Sequence, residues 1–231
     1  MRLGTWNCQT GLESKWSVLD GLCADVMTIQ ECGADTCAQA TSQRGWTCEW
    51  QAGRYRKGLA VLARDPYRIA LRERSQPCLI STIVLGPGEL RVRFVGFWAM
   101  TPSRGGSDTY PQQATELIGQ LPGDGIPTVV AGDFNASWRN AHHLRNVASL
   151  AARGLVNAYN SFYELAANAR LAHPTSYFQW NRARPYHMDF VFVPESWSIR
   201  SVEVGSFEDY PARGLSDHVP VIVSASNGDS V

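Results

Sequence analysis

Val129-Val130-Ala131-Gly132-Asp133-Phe134-Asn135 is a short apolar run that breaks, at a glycine, into two polar residues set about one aromatic ring. Pro127 to Ala131 has the length and β-branched content of a strand buried on both faces, and such strands belong to sheets covered by helices. The polar pair then falls on a loop at the rim of the sheet, where chemistry is usually carried. Four more segments share this layout. Thr5-Trp6-Asn7 lies in a strand expected over Leu3 to Cys8, and Ile29-Gln30-Glu31 ends one over Asp25 to Gln30. His187-Met188-Asp189 opens a strand over Met188 to Val193, and Ser216-Asp217-His218 opens one over Val219 to Ser224.

Between these anchors, Glu13 to Leu22 places Trp16, Leu19 and Leu22 on one helical face, with Trp16 as a core residue, so the chain opens as a βαβ unit. Gly53 and Gly58 mark a turn before a strand over Gly58 to Arg64. Strands over Leu79 to Leu85 and Leu90 to Trp98 flank Gly86-Pro87-Gly88 and predict a hairpin. Past a polar loop at Thr101 to Thr109, helices are expected over Gln112 to Leu121 and His142 to Arg153. No repeat, low-complexity block or charge run divides the chain, which reads as a single domain over residues 1–225 with a flexible tail over residues 226–231.

Of the 231 residues, 44% are hydrophobic and 18% charged, enough apolar side chain for a core and against a disordered chain. Lys and Arg number 21 against 21 Asp and Glu, so there is no global attraction to a polyanion or an anionic membrane, and a polyanionic partner would need a local basic patch. The start shows no apolar run after a basic residue, and no stretch is long and apolar enough to span a bilayer. Cys8, Cys23, Cys32, Cys37, Cys48 and Cys78 form no CxxC pair and have no His spacing of the zinc-finger kind. They are expected to be free thiols of a cytoplasmic, monomeric protein with no membrane contact.

If Glu31, Asp133, Asp189 and Asp217 converge, their mutual repulsion requires a cation or protons. An all-oxygen set without a Cys–His cluster favours Mg²⁺, with Mn²⁺ as the alternative, and Mg²⁺ held by few carboxylates typically serves a phosphate substrate.

In order and spacing, Asn7, Gln30-Glu31, Gly132-Asp133-Phe134-Asn135, the Asp of His187-Met188-Asp189-Phe190, and Ser216-Asp217-His218 resemble the motifs of the endonuclease/exonuclease/phosphatase superfamily. The resemblance spans nearly the whole chain. It implies the deoxyribonuclease-I-like fold, an α/β protein built as a four-layer α-β-β-α sandwich of two packed mixed sheets. It also implies Glu31 as principal metal ligand with Asn7 and Asp217 beside it, and Asp133 as the residue that orients or deprotonates the attacking water. Asn135 would hold a phosphate oxygen, and His218, paired with Asp189, would donate to the phosphoryl group. One position departs from the pattern: many members carry a His or Tyr shortly before a proline at the end of a middle strand, where this chain has Trp98-Ala99-Met100-Thr101-Pro102. An indole only donates and a thioether only weakly accepts.

Arg182 and Arg184, interleaved with Phe178, Trp180 and Tyr186, suit substrate phosphates and stacked bases. Arg54, Arg56 and Lys57 offer a second basic cluster. His187 and the His142-His143 pair read as surface residues, and Arg104-Gly105-Gly106-Ser107 lacks the spacing of a phosphate-binding P-loop. The expected activity is that of a metal-dependent phosphoesterase, a phosphodiesterase or nuclease first. The alternatives are a phosphatase acting on a small organic phosphate or nucleotide, and a non-catalytic module of the same fold that binds phosphate ligands.

Overall fold

A computed structural model of the chain describes residues 1–53, 55–76, 78–100 and 109–228. Arg54, the Thr101 to Asp108 part of the polar loop with Pro102 and Arg104-Gly105-Gly106-Ser107, and residues 229–231 of the expected tail lie outside the described residues.

The chain opens with β1 (Arg2–Asn7), a 3-10 turn at Leu12–Ser14, α1 (Trp16–Gly21) and β2 (Val26–Cys32), with β1 and β2 parallel. Then follow α2 (Thr36–Arg44), β3 (Trp46–Ala52), β4 (Gly58–Arg64), β5 (Arg68–Gln76), β6 (Leu79–Leu85) and β7 (Arg91–Trp98). The second half holds α3 (Tyr110–Gly119), β8 (Thr128–Asp133), α4 (Ala141–Ala151), β9 (Leu155–Asn157) and α5 (Ala158–Phe162). It closes with β10 (Ser176–Tyr177), β11 (Pro185–Tyr186), β12 (Asp189–Pro194), β13 (Trp197–Val204) and β14 (Val221–Asn227). One six-stranded sheet has the order β13-β14-β1-β2-β4-β3, and a second six-stranded sheet has the order β5-β6-β7-β8-β12-β9. Both mix parallel and antiparallel neighbours.

Alternation along the strands sorts their side chains into three apolar layers. In β4, Leu59, Val61 and Ala63 meet Ile80, Phe94 and Val129 between the sheets, while Ala60 and Leu62 turn to the other face with Trp16 and Leu19 of α1 and Ala40 of α2. In β8, Val129 and Ala131 face inward and Val130 outward, onto Ala114 and Leu117 of α3 and Leu150 of α4. The result is helix, sheet, sheet, helix: the four-layer sandwich. Gly132 is required by the β7–β8 pairing, because a Cβ there would stand 1.9 Å from the Phe97 carbonyl oxygen.

Three expectations are corrected by the structure. Cys37 of α2 and Cys48 of β3 are joined in a disulfide with their Cα atoms 5.2 Å apart, so these two are not free thiols. The two residues sit on elements that pack against each other, a proximity their sequence spacing does not encode. Ser226 and Asn227, assigned to the tail, belong to β14 and pair with Ser198 and Trp197 of β13. His143 is not on the surface. It is buried on the inner face of α4, with its ring 6.0 Å from that of Phe134 and 5.0 Å from that of Phe190. The N-cap of α4 sets this orientation, since the Asn140 side chain accepts from the backbone N–H groups of His142 and His143, a cap worth about 1 kcal/mol.

Candidate active site

β1 and β2 end side by side, with Asn7 opposite Gln30. Strict alternation would send Glu31 away from the inter-sheet seam. A β-bulge between Gln30 and Cys32, with Glu31 at φ 62°, breaks the alternation at this residue. Asn7 Nδ2 donates to Glu31 Oε1 at 3.2 Å, and to Asp133 Oδ2 at 3.1 Å in the other sheet. The ammonium of Lys57, from the β3–β4 turn, pairs with the second oxygen of Glu31.

In the second sheet Asp133 stands opposite Asp189 in the antiparallel β8–β12 ladder. Asn135, with φ 46°, turns back so that its N–H donates to Asp133 Oδ1 at 2.8 Å. Its Nδ2 donates to the Ala99 carbonyl at 2.6 Å and to Asp133 Oδ2 at 3.2 Å. The departing segment Trp98-Ala99-Met100 therefore borders the site through its backbone, while the Trp98 side chain is buried in the layer between the sheets.

The loop before β14 closes the cluster. Ser216 Oγ donates to the Asn7 carbonyl at 2.7 Å, and Trp6 Nε1 donates to the His218 carbonyl at 3.2 Å, so this segment is fastened to the end of β1. His218 Nδ1 donates to Asp189 Oδ2 at 2.9 Å, and its Nε2 lies 3.2 Å from Ser176 Oγ. Burial alone would lower the pKa of this imidazole, but the charges of Asp189 and Asp133 outweigh it and hold the ring cationic well above the usual range. Asp133 moves the opposite way for a carboxylate: burial first, and the charge of Asp189 second, push its pKa up. Burial raises Asp217 as well, with the charge of Glu31 adding to it. Asp133, Asp189 and His218 each offer a ligand atom within 4.8 Å of the others.

The description of one protein family fits the chain over nearly its full length: a model of the Endonuclease/Exonuclease/phosphatase family matches residues 4–218. The chain belongs to this family. Its members are hydrolases that act on phosphoesters. No curated protein matches the chain by sequence. Among solved structures, the human Nocturnin catalytic domain with bound sulfate is similar at 17% identity and TM-score 0.74, over 98% of this chain and 94% of that one. The 3′ phosphatase NExo from Neisseria, bound to a product DNA hairpin, is 18% identical at TM-score 0.68, over 98% and 99%. The mannosyl-6-phosphatase from Bacteroides thetaiotaomicron is 15% identical at TM-score 0.67, over 98% and 99%. At these identities the likeness speaks for the fold alone.

Against this family background, the structure gathers Asn7, Glu31, Asp133 and Asn135 into one hydrogen-bonded cluster, and sets the bonded pair Asp189–His218 with ligand atoms within 4.8 Å of Asp133. Asp217 adjoins it, close enough for the charges of His218, Glu31 and Asp189 to act on its carboxylate. Arg182, Arg184 and Trp180 lie on the exposed loop of the β10–β11 hairpin, whose Ser176 bridges to His218. Arg182 is paired with Glu208 and lies over the Phe207 ring, while Arg184 stacks on Phe178 with its guanidinium carbon 4.4 Å from the ring centroid.

His187 is corrected from surface to interior. It is 5% exposed, its Nδ1 donates to the His173 carbonyl at 2.7 Å, and burial lowers its pKa to about 4. Ser176 and Thr175 are site residues that the sequence did not single out. The Thr175 hydroxyl accepts from the N–H groups of Met188 and Asp189. Their one sequence signal is a polar pair ahead of an aromatic, Thr175-Ser176-Tyr177, which is too common to stand out.

Glu31 and Asp217 supply carboxylate oxygens and Asn7 an amide, a donor set suited to a hard divalent ion. That Glu31 already binds the Lys57 ammonium is consistent with a preference for positive charge at this point.

Proposed function

We propose that the chain is a divalent-metal-dependent phosphoesterase that hydrolyses a P–O bond by in-line attack of an activated water, with phosphodiesters of the nucleic-acid type as its first substrate class. The observation that carries this reading is the state of Asp133. It is a fully buried carboxylate held by Asn7 and Asn135, and its raised affinity for a proton suits a base at neutral pH.

Asp133 receives the proton of the attacking water. Asn135 and Asn7 fix the orientation of that carboxylate, and Asn135 exchanges its bond to the Ala99 carbonyl for a phosphate oxygen when substrate enters. His218, kept cationic by Asp189, turns its Nε2–H from Ser176 to the phosphoryl oxygen on which charge builds. Glu31, Asn7 and Asp217 would hold the Mg²⁺ or Mn²⁺ ion, which supplies Lewis-acid polarisation of the phosphoryl group and a template for its approach. Asp133, Asp189 and His218 also satisfy the distances of a metal trio. The charges of Asp189 and Asp133, however, hold the His218 ring protonated on both nitrogens, and an imidazolium is no ligand, so we assign this trio to proton transfer. Trp180, Arg182 and Arg184 would contact the flanks of an extended substrate.

The test is release of product from plasmid DNA, single-stranded RNA, bis(4-nitrophenyl) phosphate and glucose 6-phosphate, each with Mg²⁺, Mn²⁺ or EDTA, beside Asp133→Asn. Metal-dependent turnover that the variant loses is the expected result. Turnover equal in the variant, or insensitive to EDTA, would overturn it. Turnover of glucose 6-phosphate but of no diester would select the phosphatase reading.

A further inference from the structure

Ser137-Trp138-Arg139 begins two residues after Asn135, and Tyr186-His187 ends two residues before Asp189. These two segments, with Arg170 and Leu171, line a cleft of about 380 Å³. It lies at the low end of the roughly 300–1,000 Å³ range of small-molecule sites. Arg139 is held over the Trp138 ring, its guanidinium carbon 5.3 Å from the centroid. Among the described residues neither Arg139 nor Arg170 forms a salt bridge with a carboxylate, so both guanidinium groups at this cleft keep their charge for a ligand. Two guanidinium groups without acidic partners lining one small cleft favour an anion. Tyr186 and Leu171 provide an apolar wall. His187, buried, spends its Nδ1–H on the His173 carbonyl, and its Nε2 is left with no donor in the protein.

The cleft adjoins the candidate active site along the chain at two points. A group seated in it would belong to the same molecule as a phosphoryl group held at Asn135. Its volume admits one compact unit, and its lining asks for an anion beside a planar ring rather than for a sugar alone. We propose that this cleft is the subsite for the nucleotide unit next to the scissile bond, with its phosphate between Arg139 and Arg170 and its base against Tyr186. This inference rests on the phosphoesterase reading above and narrows its substrates to nucleotide compounds, either a nucleic acid strand or a free dinucleotide.

The experiment is calorimetric titration of the full chain carrying Asp133→Asn with AMP, glucose 6-phosphate, inorganic phosphate and a ten-residue oligodeoxynucleotide. AMP is expected to bind at least tenfold more tightly than glucose 6-phosphate or phosphate. Adding R139A and R170A should cost at least tenfold in AMP affinity, and Y186A at least threefold. An oligonucleotide that binds tenfold tighter than AMP marks a strand as the natural ligand, and one that binds no tighter marks a free dinucleotide. In the active chain, R139A/R170A should lower the ratio of kcat/KM for a dinucleotide to that for bis(4-nitrophenyl) phosphate by at least tenfold, through KM. Equal affinity for AMP and glucose 6-phosphate, or AMP affinity indifferent to the double substitution, would overturn the inference. These outcomes separate it from the parent reading: turnover of the aryl diester without AMP binding removes the subsite alone, and AMP binding without turnover of any ester removes the hydrolase alone.

Discussion

Asp133 and Asp189 face each other across the β8–β12 ladder, and both are completely buried. Two like charges so placed repel, and the imidazolium of His218, bonded to Asp189, offsets only part of that cost.

The first prediction is that Asp133→Asn separates stability from activity. A carboxyl whose folded pKa lies above its unfolded value binds the extra proton in the folded state, so it costs stability once the pH rises past the unfolded value. The variant should therefore unfold at equal or higher urea than the parent, with the gain larger at pH 8 than at pH 5. Its hydrolytic rate should fall by about 10²–10⁴-fold. A lower urea midpoint at pH 8 would contradict the account.

Asp189→Asn should move both limbs of the pH–rate profile to lower pH. Removing this anion lowers the pKa of His218, which it supports, and that of Asp133, which it opposes. The acid limb reports Asp133 and the basic limb His218. A shift of one limb alone would show that one of the two assignments is wrong.

In the proposed metal site Lys57, paired with Glu31, would compete with the divalent ion for that carboxylate. Lys57→Met is expected to tighten Mn²⁺ binding several-fold by electron paramagnetic resonance titration, and Glu31→Gln to weaken it by about tenfold or more. Unchanged affinity in both would place the ion elsewhere.

His143 and His187 are both buried with pKa values lowered to about 4, burial being the main cause. Unfolding lets them take up protons, so their contribution is present above about pH 6.5 and is lost as the pH falls through that value toward 4. The Tm should drop between pH 7 and pH 4.5, and His143→Phe, which fits the ring cluster of Phe134 and Phe190, should flatten that drop.

Removing the Cys37–Cys48 bond, by Ser at both positions or by reduction, should cost about 2–3 kcal/mol, given a closed loop of 11 residues between α2 and β3. Chemical denaturation with and without dithiothreitol checks this, and the double variant should no longer respond to the reductant.

Which parts of the fold were legible follows a physical line. Each of the eight interior strands, β1, β2, β4, β6, β7, β8, β12 and β14, is recognisable as an apolar run, because both of its faces are covered. The four sheet edges, β3, β5, β9 and β13, were not recognised. β5 carries Arg68, Arg72, Glu73 and Arg74, and β13 carries Arg200 and Glu203, charges that keep an edge from pairing with another chain and also hide its period. At the site, the polar residues beside interior strands were legible as a set. Thr175, Ser176 and the burial of His187 were not, because the short β10–β11 hairpin that positions them is held by contacts with the loop before β14, more than 25 residues later in the chain.

The bond from Ser216 to the Asn7 carbonyl joins residues 209 positions apart. During synthesis, at about 5–20 residues per second, Asn7 and Glu31 emerge long before His218 exists. A ribosome-bound chain can thus complete most of both sheets and still lack the imidazole and the segment that carries it. The cluster is therefore complete only once residue 218 has been made, and a product truncated before residue 216 would lack both the imidazole and the bond that fastens its segment to β1.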